Sequence, residues 1–245
     1  MEPQQPAFSE LHPTVVLGIA AHPDDLDFSA SGTLATFAAA GASVYYLQLT
    51  DGGKGSSDPK ATCEEVCEQR QAEQQTACTC VGGREVFFLN HPDGELEANR
   101  ELKKEIVRYI RKLKPDVVIT TDPVTMYYPE WGMINHTDHR AAGQATLDAV
   151  YPLARDRLTF PELAEEGLTP HNVKTVLLTA FSEQNFFVDV TAVIDKKMAA
   201  VSAHASQLTQ HPEQFKAMLT NMAAKNGSKA GVQYAEGFVR LDIMA

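Results

Sequence analysis

The sequence predicts an α/β fold: a doubly wound, mainly parallel sheet with helices on both faces. Two observations carry this. The strand-like segments are nearly continuous apolar runs rather than alternating ones, and helical segments separate them. In order, "TVVLGIAA" (14–21) reads as a strand, "SGTLATFAAAG" as a helix closed by Gly41, and "SVYYLQLT" (43–50) as a second strand. Residues 61–81, rich in Gln and Glu, read as a long helix, "EVFFL" (85–89) as a strand, and "ELKKEIVRYIRKLK" as an amphipathic helix stopped by Pro115. "DVVIT" (116–120) is the next strand, followed by "TVLLTAF" and "FFVDVT", two helical stretches, and "YAEGFVRLDI" as a last strand. This alternation is Rossmann-like.

No internal repeat or low-complexity linker interrupts it, and 245 residues with 44% hydrophobic content suffice for one sizeable core. One domain over residues 1–245 is expected, with 1–13 as a loose N-terminal arm. The 32 acidic against 21 basic residues give a formal charge of −11, and no run of Lys or Arg forms a phosphate-tracking stripe. Nucleic acid and anionic membrane are therefore not expected partners. The first residues lack a basic segment followed by an apolar one, and no apolar run approaches the ~20 residues of a membrane span. A soluble, cytoplasmic protein is expected.

The four cysteines stand at 63, 67, 78 and 80. At ~100° per residue, Cys63, Cys67 and Cys78 share one helical face, which predicts a stripe of small buried thiols. Their spacing is not that of a zinc ribbon.

Ligands of such a sheet bind outside the carboxyl ends of its strands. "HPDDLD" follows the first strand there, and His22, Asp24, Asp25 and Asp27 crowd six positions. Like charges at that spacing repel, so a cation is expected among them. "TDGGKG" follows the second strand, and "TDPVTMYYPEWGMINHTDH" follows "DVVIT". No G-x-G-x-x-G cradles a dinucleotide. His136 and His139, three apart at the start of a helix, share a face. Two clusters of His and Asp facing one crevice match a catalytic zinc, which takes three protein ligands and leaves a position for water. The bland alternative is a polar loop held by hydrogen bonds and helix capping.

With "AHPDDLD", "TDGGKG", "NHTDHRAAG" and the later "AHASQ", the sequence from about Val15 to about Phe238 resembles the PIG-L (LmbE-like) family of zinc-dependent N-deacetylases. The resemblance implies His22, Asp25 and His139 as ligands of zinc or another divalent ion. It implies Asp24 as general base, His136 as the group that polarises the carbonyl, and Asp138 as the acid that tunes His136. It also matches Arg70 to an arginine that contacts substrate, the alternative being a solvated helix charge, and suggests a trimer or hexamer. The residue types suit amide hydrolysis on their own terms. A carboxylate beside a ligand can take a proton from water and pass it to the departing amine, and a cationic His136 would stabilise the oxyanion.

Asp93, just past the third strand, is placed to hydrogen-bond a sugar hydroxyl, whereas His91 reads as a loop residue. Tyr127, Tyr128 and Trp131 suggest an aromatic wall for a sugar ring. His204 is expected at the pocket rim or as a helix cap, and His211 at a helix start. The resemblance implies an N-acetylated amino sugar as substrate, an N-acetylglucosamine unit free or linked to inositol, malate or another sugar. Two other functions remain open at this point: an amidase cleaving a larger N-acyl or thiol-conjugate amide, and a non-catalytic module that binds zinc or sugar.

Overall fold

The computed structural model describes residues 11–129, 132–180, 183–208 and 211–244. Its seven-stranded sheet is built from β1 (Val15–Ala20), β2 (Ser43–Thr50), β3 (Glu85–His91), β4 (Val117–Thr121), β7 (Thr175–Thr179), β8 (Phe186–Asp189) and β9 (Ala235–Asp242). The spatial order is β3-β2-β1-β4-β7-β9-β8; β9 runs antiparallel to both its neighbours and the remaining pairs are parallel. The helices are α1 (Asp25–Ser29), α2 (Ser31–Ala39), α3 (Cys63–Val81), α4 (Arg100–Leu113), α5 (Thr137–Asp148), α6 (Pro161–Glu165), α7 (Ile194–Ala203) and α8 (Pro212–Ala230). A two-stranded hairpin, β5 (Tyr127–Tyr128) and β6 (Met133–Ile134), lies between β4 and α5.

β1 shows why the strands read as unbroken apolar runs. Val16 and Ala20 enter the core beneath α2 and α3, while Leu17 and Ile19 enter the one beneath α4 and α5. Neither face meets water, so nothing favours alternation. The strand order turns back between β1 and β4, which places the ends of both at the switch point of the sheet. α5 approaches that point closely: a Cβ on Gly143 would stand 2.3 Å from the carbonyl oxygen of Thr121, so only glycine lets this helix seat on the end of β4.

α3 corrects the cysteine reading. Thr62 and Glu65 form a reciprocal capping box at its start, and Gly82 at φ 80° ends it. The buried stripe is Val66, Arg70, Gln74, Ala77, Cys78 and Val81. Cys78 alone among the thiols is buried, while Cys63 is exposed. Two polar residues occupy the core-facing line, so apolar periodicity pointed to the flanking thiols instead. Among the described residues no helix is long and apolar enough to cross a membrane.

Candidate metal centre

Past β1 the chain turns sharply through His22 to Asp25, and past β4 the hairpin delivers α5 with His136 as its N-cap. The two segments meet at the switch point. Nδ1 of His22 and Nε2 of His139 stand 3.3 Å apart, Nε2 of His139 lies 3.0 Å from Oδ1 of Asp25, and Nδ1 of His22 lies 3.6 Å from Oδ2 of Asp25. A tetrahedral ion with bonds of ~2.0–2.2 Å separates its ligand atoms by roughly 3.3–3.6 Å. The edge between the two imidazoles falls in that range, and Asp25 meets them through both oxygens, Oδ1 toward His139 and Oδ2 toward His22, so two imidazoles and a carboxylate converge closely enough to hold a divalent ion.

His22 is held from its other side too. Its Nε2 is 3.2 Å from Oδ2 of Asp138 and 3.1 Å from Oδ1 of Asp93. Those carboxylates are anchored by backbone amides: Gly94 and Leu96 donate to Asp138, and Lys54 donates to Asp93. His22, Asp93 and Asp138 thus form a second group of converging donor atoms, as His22, His136 and His139 form another. A carboxylate behind a ligating histidine fixes its tautomer and raises its basicity. Asp138 was expected to tune His136; its side chain is held on His22, its charge opposes the lowering of the His136 pKa by burial, and its backbone amide reaches Nδ1 of His136 at 3.2 Å.

Charge in the cluster follows this geometry. Burial opposes protonation of His22, yet Asp138, Asp25 and Asp93 raise its pKa to about 12. Burial likewise opposes the charge on His139, and Asp25 overcomes it and raises that pKa. Asp25 is held well below the usual carboxylate range, burial being outweighed by His139 and His22. Hydrogen bonding to His22 lowers Asp93 to about 2. The imidazole protons balance the carboxylates, and a dication would replace them. His136 goes the other way: burial, His22 and His139 lower its pKa, and its Nδ1 accepts a hydrogen bond. With Nδ1 accepting, Nε2 is the ring nitrogen left to donate.

Asp24 lies beside the triangle at φ 110°, a left-handed conformation that a non-glycine residue rarely adopts. Burial raises its pKa to about 6, against the opposing pull of Arg70. Arg70 is not a solvated helix charge. It is buried, and it donates to Oδ2 of Asp24 at 3.1 Å, to the carbonyl of Pro23 at 2.7 Å and to that of Gly52 at 2.9 Å.

The other expected residues divide. Tyr128 is buried, Tyr127 is 62% exposed, and Trp131 lies outside the described residues. His91 is the last residue of β3 rather than a loop residue, and pairs with Glu105 at 2.6 Å. His204 is fully buried rather than at a rim, and it stands at the C-cap position of α7, the other expected placement, with Nε2 2.9 Å from Oδ2 of Asp27. His211 stands at the start of α8, as expected, without a side-chain capping bond. Sequence reasoning missed Gln74, whose side chain accepts from the Asp24 amide at 3.0 Å. The available signal was a polar pair, Arg70 and Gln74, spaced i, i+4 along a helix.

Residues 17–150 match the model of the PIG-L family, described as GlcNAc-PI de-N-acetylase. The chain is 34% identical over 223 residues to a diacetylchitobiose deacetylase of Thermococcus kodakarensis, covering 91% of this chain and 81% of that protein. It is 30% identical over 258 residues to a 1D-myo-inositol 2-acetamido-2-deoxy-alpha-D-glucopyranoside deacetylase of Rhodococcus jostii, covering 86% and 87%. Its fold matches the N,N'-diacetylchitobiose deacetylase of Pyrococcus horikoshii, solved with an inhibitor, at a TM-score of 0.86 and 29% identity over 94% of this chain and 84% of that one.

Proposed function

The chain belongs to the PIG-L family, and from that premise we propose that it is a zinc-dependent N-deacetylase removing the acetyl group from an N-acetylglucosaminide. One observation carries the reading: the donor triangle of His22, Asp25 and His139 stands beside a buried carboxylate, Asp24, that is not one of its corners. A structural site gains nothing from that extra carboxylate and is closed by a fourth protein ligand. The substrates printed in the names of the relatives above are acetylated glucosamine compounds, which favours the acetyl group over a larger acyl group.

When bound, the ion would polarise the acetamide carbonyl and acidify a water molecule. Asp24 takes the proton of the attacking water and returns it to the departing amine, and a pKa raised to about 6 lets one group serve both duties near neutral pH. His136 donates from Nε2 to the carbonyl oxygen as negative charge develops there. Asp138 and Asp93 orient His22. Arg70 acts through Asp24 and the turns it clamps. In this reading the exposed ring of Tyr127, more than the buried Tyr128, offers a face to a sugar.

The test is incubation of the zinc-loaded protein with N,N'-diacetylchitobiose and with N-acetylglucosamine linked to inositol or malate, measuring amine and acetate together. Equal release of both is expected. Cleavage confined to larger N-acyl conjugates would replace this reading with an amidase, and zinc binding without any amide cleavage would replace it with a binding module.

A further inference from the structure

Five polar side chains are buried beneath the candidate site, and they form one connected network that touches no surface. Tyr46 donates to Oδ1 of Asp27 at 3.0 Å, and Nε2 of His204 lies 2.9 Å from Oδ2 of Asp27. Nε2 of Gln74 donates to the same Oδ2 at 2.7 Å. Oε1 of Gln74 accepts from Nε2 of Gln48 at 2.9 Å and from the backbone amide of Asp24 at 3.0 Å. Tyr46, Asp27, Gln48, Gln74 and His204 are all 0% exposed. A buried polar network rigidifies what its hydrogen bonds hold. Oε1 of Gln48 and Nδ1 of His204 have no partner among the described residues, and among those residues the hydrogen bond from the network to the candidate site is that of the Asp24 amide to Gln74.

We propose that Gln74 is a positioning residue for deacetylation, and that the Asp27–Gln74 pair holds Asp24 in its left-handed backbone conformation with the carboxylate turned to the donor triangle. The direction of the relay follows from hydrogen-bond chemistry. A carboxylate offers only acceptors, so Asp27 draws the NH2 end of Gln74 toward itself. The amide oxygen of Gln74 must then face the Asp24 N–H. An Asp24 at φ 110° is strained and persists only where its surroundings over-determine it. Arg70 fixes the side chain of Asp24 and Gln74 fixes its backbone. The "AHASQ" segment reinforces the arrangement from three points: His204 on Asp27, Ser206 on Glu73 of α3 at 2.7 Å, and Gln207 on the carbonyl of Gly55 at 3.1 Å.

This inference rests on Asp24 being the base, and the experiment separates the two claims. Three variants of the full zinc-loaded chain are compared: Asp24→Asn, Gln74→Met and Asp27→Leu. Gln74→Met removes the acceptor of the Asp24 N–H. Asp27→Leu keeps much of the volume of the buried side chain but removes the carboxylate that holds the NH2 of Gln74, so the Gln74 oxygen is no longer turned to the Asp24 N–H. Displacement of a reacting group by about 1 Å costs on the order of 10²-fold, so kcat should fall tenfold to a hundredfold in Gln74→Met and in Asp27→Leu. KM should stay within about twofold, zinc should remain near one per chain, and melting should stay cooperative. If one of the two fails to fold, the other decides. A kcat within twofold of the parent in either folded variant overturns the proposal. So does a loss that only tracks lost zinc or lost folded protein. Full turnover by Asp24→Asn overturns the assignment of the base itself, whatever the other two variants do.

Discussion

Oδ2 of Asp138 lies 3.2 Å from Nε2 of His22, and Oδ1 of Asp93 lies 3.1 Å from the same nitrogen, so one imidazole edge is held by two carboxylates while the other faces Asp25 and His139. The second motif therefore supports the first motif's histidine as well as contributing its own.

Asp138→Asn should accordingly weaken metal binding, by about 10- to 100-fold for the loss of a partner behind a ligand. Activity should return when zinc is raised. A kcat that stays low at saturating zinc would place the effect of Asp138 on His136 instead.

Metal removal is expected to abolish turnover, and added zinc to restore it, with about one zinc per chain by elemental analysis. His139→Ala and Asp25→Asn each remove one of three donors and should lose stoichiometric metal. A metal-free preparation with full turnover would disprove the centre.

Asp24→Asn preserves the size of the side chain and all three donors. The protein should fold and hold its metal while kcat falls by about 10²- to 10⁴-fold, the range of general acid–base assistance. Steady-state kinetics with metal analysis on the same sample checks this.

The acid side of the pH profile should report Asp24. Burial raises its pKa to about 6 and Arg70 pulls it down. The working form is the carboxylate, so kcat/KM falls as the pH drops through the folded-state pKa. Arg70→Met removes the nearby cation and should move that limb to higher pH. A limb that moves down, or not at all, would mean that it belongs to another group.

Lys197 and Glu236 form a buried pair at 2.7 Å. Truncating one partner leaves an uncompensated charge, and Lys197→Met should cost about 3–5 kcal/mol in denaturant titrations. The double variant Lys197→Met, Glu236→Gln should recover part of that loss.

The second strand was legible residue for residue because "SVYYLQLT" is an apolar run bounded by Gly41 and Asp51. α1 was not: five residues give too few positions for a 3.6-residue period to show, and the two-residue strands of the hairpin lack any repeat. The donor residues were legible because the motifs concentrate them in short segments. The contact of Asp93 with His22 was not, since it depends on the sheet order that carries the loop after β3 across to the end of β1. Gln74 is an ordinary letter in a Gln- and Glu-rich helix, and before its burial is known only the i, i+4 spacing from Arg70 marks it.

The carboxylate of Glu236, on the last strand, accepts the amides of Gly32 and Thr33 at the start of α2, at 3.0 and 2.7 Å and across more than two hundred residues of chain. Chains emerge from the ribosome N-terminus first. The amides of Gly32 and Thr33 are thus made about two hundred residues before the carboxylate that accepts them. A nascent chain halted before β9 would carry His22, Asp25 and His139 with the start of α2 still lacking that acceptor.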